Sequence, residues 1–86
     1  MAYKVVYLDQ VEQDLKKIDK SIIKRILSRI ETHLAKDPKE LGKPLKGEFQ
    51  GYWRYHWGNY RVIYKISERE ILILVLRISH RKDVYD

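Results

Sequence analysis

The spacing of apolar residues changes along the 86-residue chain and separates a helical first half from a sheet-forming second half. Tyr3 to Leu8 (YKVVYL) is rich in aromatic and β-branched residues and predicts a strand. Asp9 then offers a helix cap. Val11, Leu15 and Ile18 recur at steps of four and three, the spacing of one helical face. Asp19 and Ser21 interrupt the chain and recap it. Ile22, Ile23, Ile26, Leu27, Ile30 and Leu34 then form a continuous stripe with Lys24, Arg25, Ser28, Arg29 and Glu31 outside it, which predicts a second amphipathic helix. That helix should end by Lys36 or Asp37, because Pro38 disfavours helical backbone at the residue before it.

Asp37 to Gly51 holds both prolines and three of the four glycines, and reads as a loop. Beyond it the period falls to two. Trp53, Tyr55 and Trp57 alternate with Arg54 and His56, and Tyr60, Val62, Tyr64 and Ile66 alternate with Arg61, Ile63 and Lys65. The two runs flank Gly58-Asn59, a two-residue hairpin turn. Ser67 to Glu70 form a second turn. Ile71 to Ile78 (ILILVLRI) is nearly unbroken apolar sequence, expected of a central or doubly covered strand. The pattern predicts one α+β domain over residues 1–86, ordered β-α-α-β-β-β, with two N-terminal helices on one face of an antiparallel-rich sheet.

The hairpin turn also fixes register. Trp57 should oppose Tyr60, His56 oppose Arg61, Tyr55 oppose Val62 and Arg54 oppose Ile63. Opposed residues share a face. The aromatic set therefore belongs under the helices, where its burial stabilises the domain. Arg54, His56, Arg61 and Lys65 belong on the open side. Like charges opposed on a sheet cost energy, which favours a neutral imidazole at His56. Ser79-His80-Arg81-Lys82 follows the last strand and brings further cations to that end of the sheet, and Tyr85 is an aromatic in a polar tail.

Charge supports this grouping. The formal net charge is +6 and the pI about 9.6, a balance that favours polyanionic partners, although a basic surface can also serve solubility alone. The chain has no cysteine, which excludes thiolate nucleophiles and Cys-based zinc sites and fits a reducing cytoplasm. His33, His56 and His80 have no metal-ligand spacing, no Ser-His-Asp or phosphate-loop motif is present, and no apolar run resembles a signal peptide or membrane span. His33 belongs on the solvent side of the second helix. Arg, His, Lys and Tyr without carboxylates or metal ligands suit a phosphodiester. Arg binds phosphate and stabilises developing charge, His moves protons near neutral pH, and Tyr stacks on unpaired bases.

Leu45 to Gly47, Trp53 to Tyr64 (WRYHWGNYRVIY) and Val75 to Tyr85 (VLRISHRKDVY) resemble the RelE/ParE toxin superfamily, and the N-terminal strand and helical hairpin fit it as well. The resemblance implies the toxin of a type II toxin–antitoxin pair. RelE-type members are mRNA interferases that cut RNA in the ribosomal A site without metal or cofactor, by attack of the 2′-hydroxyl on the adjacent phosphate. ParE-type members share the fold and inhibit DNA gyrase without catalysis. Carried to this chain, the RelE-type catalytic positions are Arg54, His56, Arg61, Arg81 and Tyr85, with Lys46, Lys65, His80 and Lys82 as substrate-binding helpers. The implied partners are a RelB-like antitoxin, the ribosome and mRNA. RelE-type chains commonly carry lysine or arginine where this chain has His56, so the identity of the general base departs from the family pattern.

Overall fold

The computed structural model describes residues 2–80. Strand β1 (Lys4–Tyr7) is followed by helices α1 (Asp9–Leu15) and α2 (Lys20–Arg29), and α2 continues through a π-helical turn, Ile30–Leu34. A short helix α3 (Pro38–Leu41), a two-residue strand β2 (Lys43–Pro44) and a 3-10 turn (Gly47–Phe49) precede strands β3 (Trp53–Trp57), β4 (Tyr60–Ser67) and β5 (Leu72–His80). The region expected to be one loop thus carries three short elements. Pro38 sits in the first turn of α3, where its missing N–H is no loss.

Asp9 is not a cap. The N-cap of α1 is Leu8, with no side-chain hydrogen bond, and Asp9 is the first helical residue, where a carboxylate still favours the positive end of the helix. The α2 stripe is the core face. Ile26, Ile30 and Leu34 are at most 1% exposed, and they pack with Val11 of α1 against Val62, Tyr64, Ile73, Val75 and Ile78 of the sheet. The polar side of α2 bends down over the rim of that core. The Arg25 guanidinium lies 5.2 Å from the Trp57 ring centroid, and Arg29 Nε donates to the Tyr55 hydroxyl at 3.0 Å.

The sheet has five strands in the order β1-β5-β4-β3-β2. β1 pairs parallel to β5, and the other pairings are antiparallel. β5 is therefore central, as its apolar sequence demands. The hairpin pairs Trp57 with Tyr60, His56 with Arg61, Tyr55 with Val62 and Arg54 with Ile63. Gly58 has φ +57°, while Asn59 is not among the residues of positive φ. That is the glycine-first pattern of a two-residue turn whose twist matches the strands.

Gly42 marks a close approach. A Cβ there would stand 1.7 Å from the Tyr64 hydroxyl. The bare glycine lets Tyr64 pass beneath the α3–β2 connection and donate to the Pro38 carbonyl at 2.6 Å. This fully buried tyrosine so gains a partner for its hydroxyl, and burial pushes its pKa above the usual tyrosine value.

Candidate active site

Cross-strand pairing arranges the non-helix side of the sheet in rows. The row nearest the hairpin turn is His56–Arg61–Ser79. The next is Lys43–Arg54–Ile63–Arg77. In the third, Lys65 opposes Leu74, and the Lys65 ammonium lies 4.7 Å from the Tyr52 ring centroid. Arg54, His56, Arg61 and Lys65 thus share one side of the sheet. The side is less open than its sequence suggests, since Arg61 is 3% exposed. A guanidinium at that depth has few rotamers to choose from and is held in place before any substrate arrives.

Arg54 and His56, two residues apart on β3, touch: Arg54 Nη1 lies 3.3 Å from His56 Nε2. A guanidinium only donates hydrogen bonds. As a hydrogen bond this contact therefore takes Nε2 as its acceptor, the role open to the tautomer that carries its proton on Nδ1. Among the described residues, no cluster of His, Asp and Glu could hold a metal ion, and no helix is long and apolar enough to cross a membrane.

The other sequence-derived candidates divide. Lys46 is exposed and leads into the 3-10 turn. His80 opposes Tyr60, and their rings meet edge-on at 5.3 Å. His80 therefore stands on the helix side of the sheet and not beside His56 and Arg61. Arg81, Lys82 and Tyr85 lie outside the described residues.

Three residues of this region are not among the candidate site residues drawn from the sequence, although Lys43 and Lys46 make the loop a basic one. Lys43 joins through β2, opposite Arg54. Arg77 joins through β5, and Asp14 reaches it from α1. Arg77 Nε donates to Asp14 Oδ2 at 2.9 Å and Arg77 Nη2 donates to Oδ1 at 3.0 Å. Asp14 Oδ2 also accepts the Ile78 amide at 3.0 Å, where β5 has run past the end of β1 and its edge needs an acceptor. Burial pushes the Asp14 carboxyl up, but the hydrogen bonds from Arg77, Ile78 and Gln10 outweigh it and hold its pKa below the usual carboxylate value. A groove of about 900 Å³ crosses Ile63, Arg77 and Ser79 and is also lined by Phe49, Lys17 and His80.

Comparison with known proteins places this architecture. The family model for the ParE toxin of type II toxin–antitoxin systems matches residues 5–85. The toxin RelG of Mycobacterium tuberculosis is 31% identical over 85 residues, covering 99% of this chain and 98% of RelG. The toxin RelE of the same organism is 26% identical over 83 residues, covering 96% of this chain and 86% of the relative. Among solved structures, a chain of the toxin–antitoxin complex RelBE2 from M. tuberculosis superposes with a TM-score of 0.90 at 28% identity, covering 94% of this chain and 100% of that one. The fold is that of a small toxin from a toxin–antitoxin pair. The chain belongs to the RelE/ParE superfamily of type II toxins.

Proposed function

We propose that the protein is a RelE-type endoribonuclease that cuts mRNA on the ribosome by attack of a 2′-hydroxyl on the adjacent phosphodiester. The observation that carries this reading is the first row, where a buried guanidinium, Arg61, stands directly opposite a histidine whose Nε2 meets the Arg54 guanidinium. The pair supplies a fixed positive charge and a proton acceptor side by side, which in-line attack on a phosphodiester requires.

Arg54 occupies His56 Nε2 in the resting site. A substrate phosphate is a stronger partner for a guanidinium than an imidazole nitrogen, so phosphate binding draws Arg54 away and frees Nε2. His56 then takes the proton of the 2′-hydroxyl as the oxygen attacks phosphorus. The P–O5′ bond breaks, and the 5′-oxygen takes a proton from water while His56 returns its proton to solvent, giving a cyclic phosphate and a 5′-hydroxyl. Arg61 and Arg81 stabilise the charge that gathers on the phosphoryl oxygens. Tyr85 stacks on or orients a nucleotide, and Lys46, Lys65 and Lys82 bind the strand more loosely, while His80, on the helix side, is left out of the site. The work takes place in the cytoplasm, where ribosomes are, and the toxin is held in check by a RelB-like antitoxin. The RelBE2 relative is itself a toxin–antitoxin complex.

The test is cleavage on isolated ribosomes. Arg61→Ala combined with Arg81→Ala should abolish mRNA cutting and toxicity, and full activity in that double variant would sink the mechanism. The matching family model bears the ParE description, which supports a second reading, a non-catalytic inhibitor of DNA gyrase. Loss of gyrase supercoiling in the presence of protein that leaves ribosome-bound mRNA intact would favour it.

A further inference from the structure

The 3-10 turn places an aromatic ring beside the basic face that the chemistry above does not use. Phe49 is 52% exposed, the most exposed large hydrophobic residue among those described. Its centroid lies 6.5 Å from that of Tyr52, at an interplanar angle of 38°. Tyr52 is backed in turn by the Lys65 ammonium. Phe49 also lines the same groove as Ile63, Arg77 and Ser79. A ring left half in water beside a groove is unfavourable until something flat and apolar covers it.

We propose that Phe49, backed by Tyr52 and Lys65, is a stacking subsite for the base of a nucleotide flanking the bond that is cut. The inference rests on the ribonuclease reading. Every base has a π-face and takes such a ring whatever its identity, while Lys65, Arg77 and Lys46 receive the backbone phosphates. Two carboxylates also border the groove. Asp14 is committed to Arg77, and exposed Glu48 repels phosphate, turning the backbone toward the Lys65 and Arg77 side. Position decides which nucleotide is held. From Arg61 to Lys65 the strand advances four residues, about 13 Å at the rise of a β-strand. The Phe49 ring leans on Tyr52, which meets Lys65 at the far end of that span, and the stacked base is assigned to a neighbour of the reacting nucleotide.

The test uses the full chain with Phe49→Ala and Phe49→Tyr, assayed two ways. One is cleavage on ribosomes programmed with mRNA. The other is binding of a single-stranded 2′-O-methyl RNA, which 2′-hydroxyl attack cannot cut. Phe49→Ala should raise KM and weaken oligonucleotide binding by about 10-fold, with kcat within about twofold, and Phe49→Tyr should restore both. If the wild type binds the 2′-O-methyl strand through Phe49 but cleaves no RNA, the ribonuclease reading fails and the subsite stands. If the wild type cleaves and Phe49→Ala changes neither KM nor binding, or if the wild type fails to bind the strand, the subsite is overturned. It is overturned equally if Phe49→Ala leaves RNA untouched but loosens a protein partner, for then the ring is a protein anchor.

Discussion

On the helix side of the sheet, Val62, Tyr64, Ile73, Val75 and Ile78 are at most 1% exposed; on the other side Arg61, the chain neighbour of Val62, is 3% exposed. The depths are nearly equal and the chemistry is opposite. Burial on the helix side removes apolar surface from water and stabilises the fold. Burial of a guanidinium on the other side loses hydration, a cost that its partners must offset before the charge adds anything to stability. Depth alone therefore does not distinguish core from site. What distinguishes them is whether the buried group contributes to the stability of the fold.

The largest effect should come from exchanging the chemistry of the basic side for that of the core. Arg61→Met keeps the volume and removes the charge. Cleavage on programmed ribosomes should fall at least about 100-fold, the usual cost of removing a fixed charge stabiliser. The thermal midpoint is read alongside, so that loss of the fold is not counted as loss of the chemistry. A variant that unfolds would make Arg61 a structural residue, and one that still cleaves would remove it from the chemistry.

Much of this two-sided sheet is legible in the sequence, because a period of two and a two-residue turn together dictate register and face. That is why Arg54, His56, Arg61 and Lys65 fall into one group on residue spacing alone. Arg77 escapes for a physical reason. Counting back from the β4–β5 turn, Ser67 pairs with Leu72 and Tyr64 with Val75, and an unbroken ladder would then set Arg77 against Val62, on the core side. The ladder breaks between Ile63 and Tyr64, leaving Leu76 as the extra residue and setting Arg77 against Ile63. A one-residue slip flips every later side chain to the other face, so nothing in the apolar run announces it. The same break puts Tyr60 opposite His80 and carries that histidine away from His56. Asp14 escapes for a different reason, since the pairing of a helix residue with a strand 63 positions later leaves no local pattern.

Asp14 is where the two sides are tied together, because α1 packs on the helix side and its carboxylate reaches round the edge of β5 to Arg77. Cutting that tie is the next largest effect. Asp14→Asn should cost about 2 kcal/mol, the scale of hydrogen bonds to a charged group, with the Arg77 side chain about half exposed and its share screened accordingly. The pH dependence has a definite sign. The folded carboxyl is held below its unfolded value, so its stabilisation is complete above the unfolded pKa and is lost as pH falls through the folded one. The wild type should weaken on acidification below about pH 4, and Asp14→Asn should flatten that part of the curve in a chemical-denaturation series. An Asn variant with the wild-type acid profile would show that this pair does not set the acid limit.

The smallest effect belongs to neither side and serves as the control for both. Ile71 closes the β4–β5 turn with φ +53°, a left-handed conformation that a β-branched residue adopts only at a cost of about 1–2 kcal/mol. Its side chain is 44% exposed, so packing returns little of that cost, while its carbonyl accepts the Lys4 amide at 2.9 Å and needs the backbone where it is. Asparagine tolerates this region and leaves the carbonyl in place. Ile71→Asn should therefore gain roughly 0.5–1 kcal/mol and raise the thermal midpoint by a few degrees. Cleavage should not change, because the residue touches neither the core cluster nor the basic rows. A loss of stability instead would mean that Ile71 packing outweighs its backbone strain, and that the turn belongs energetically to the helix side.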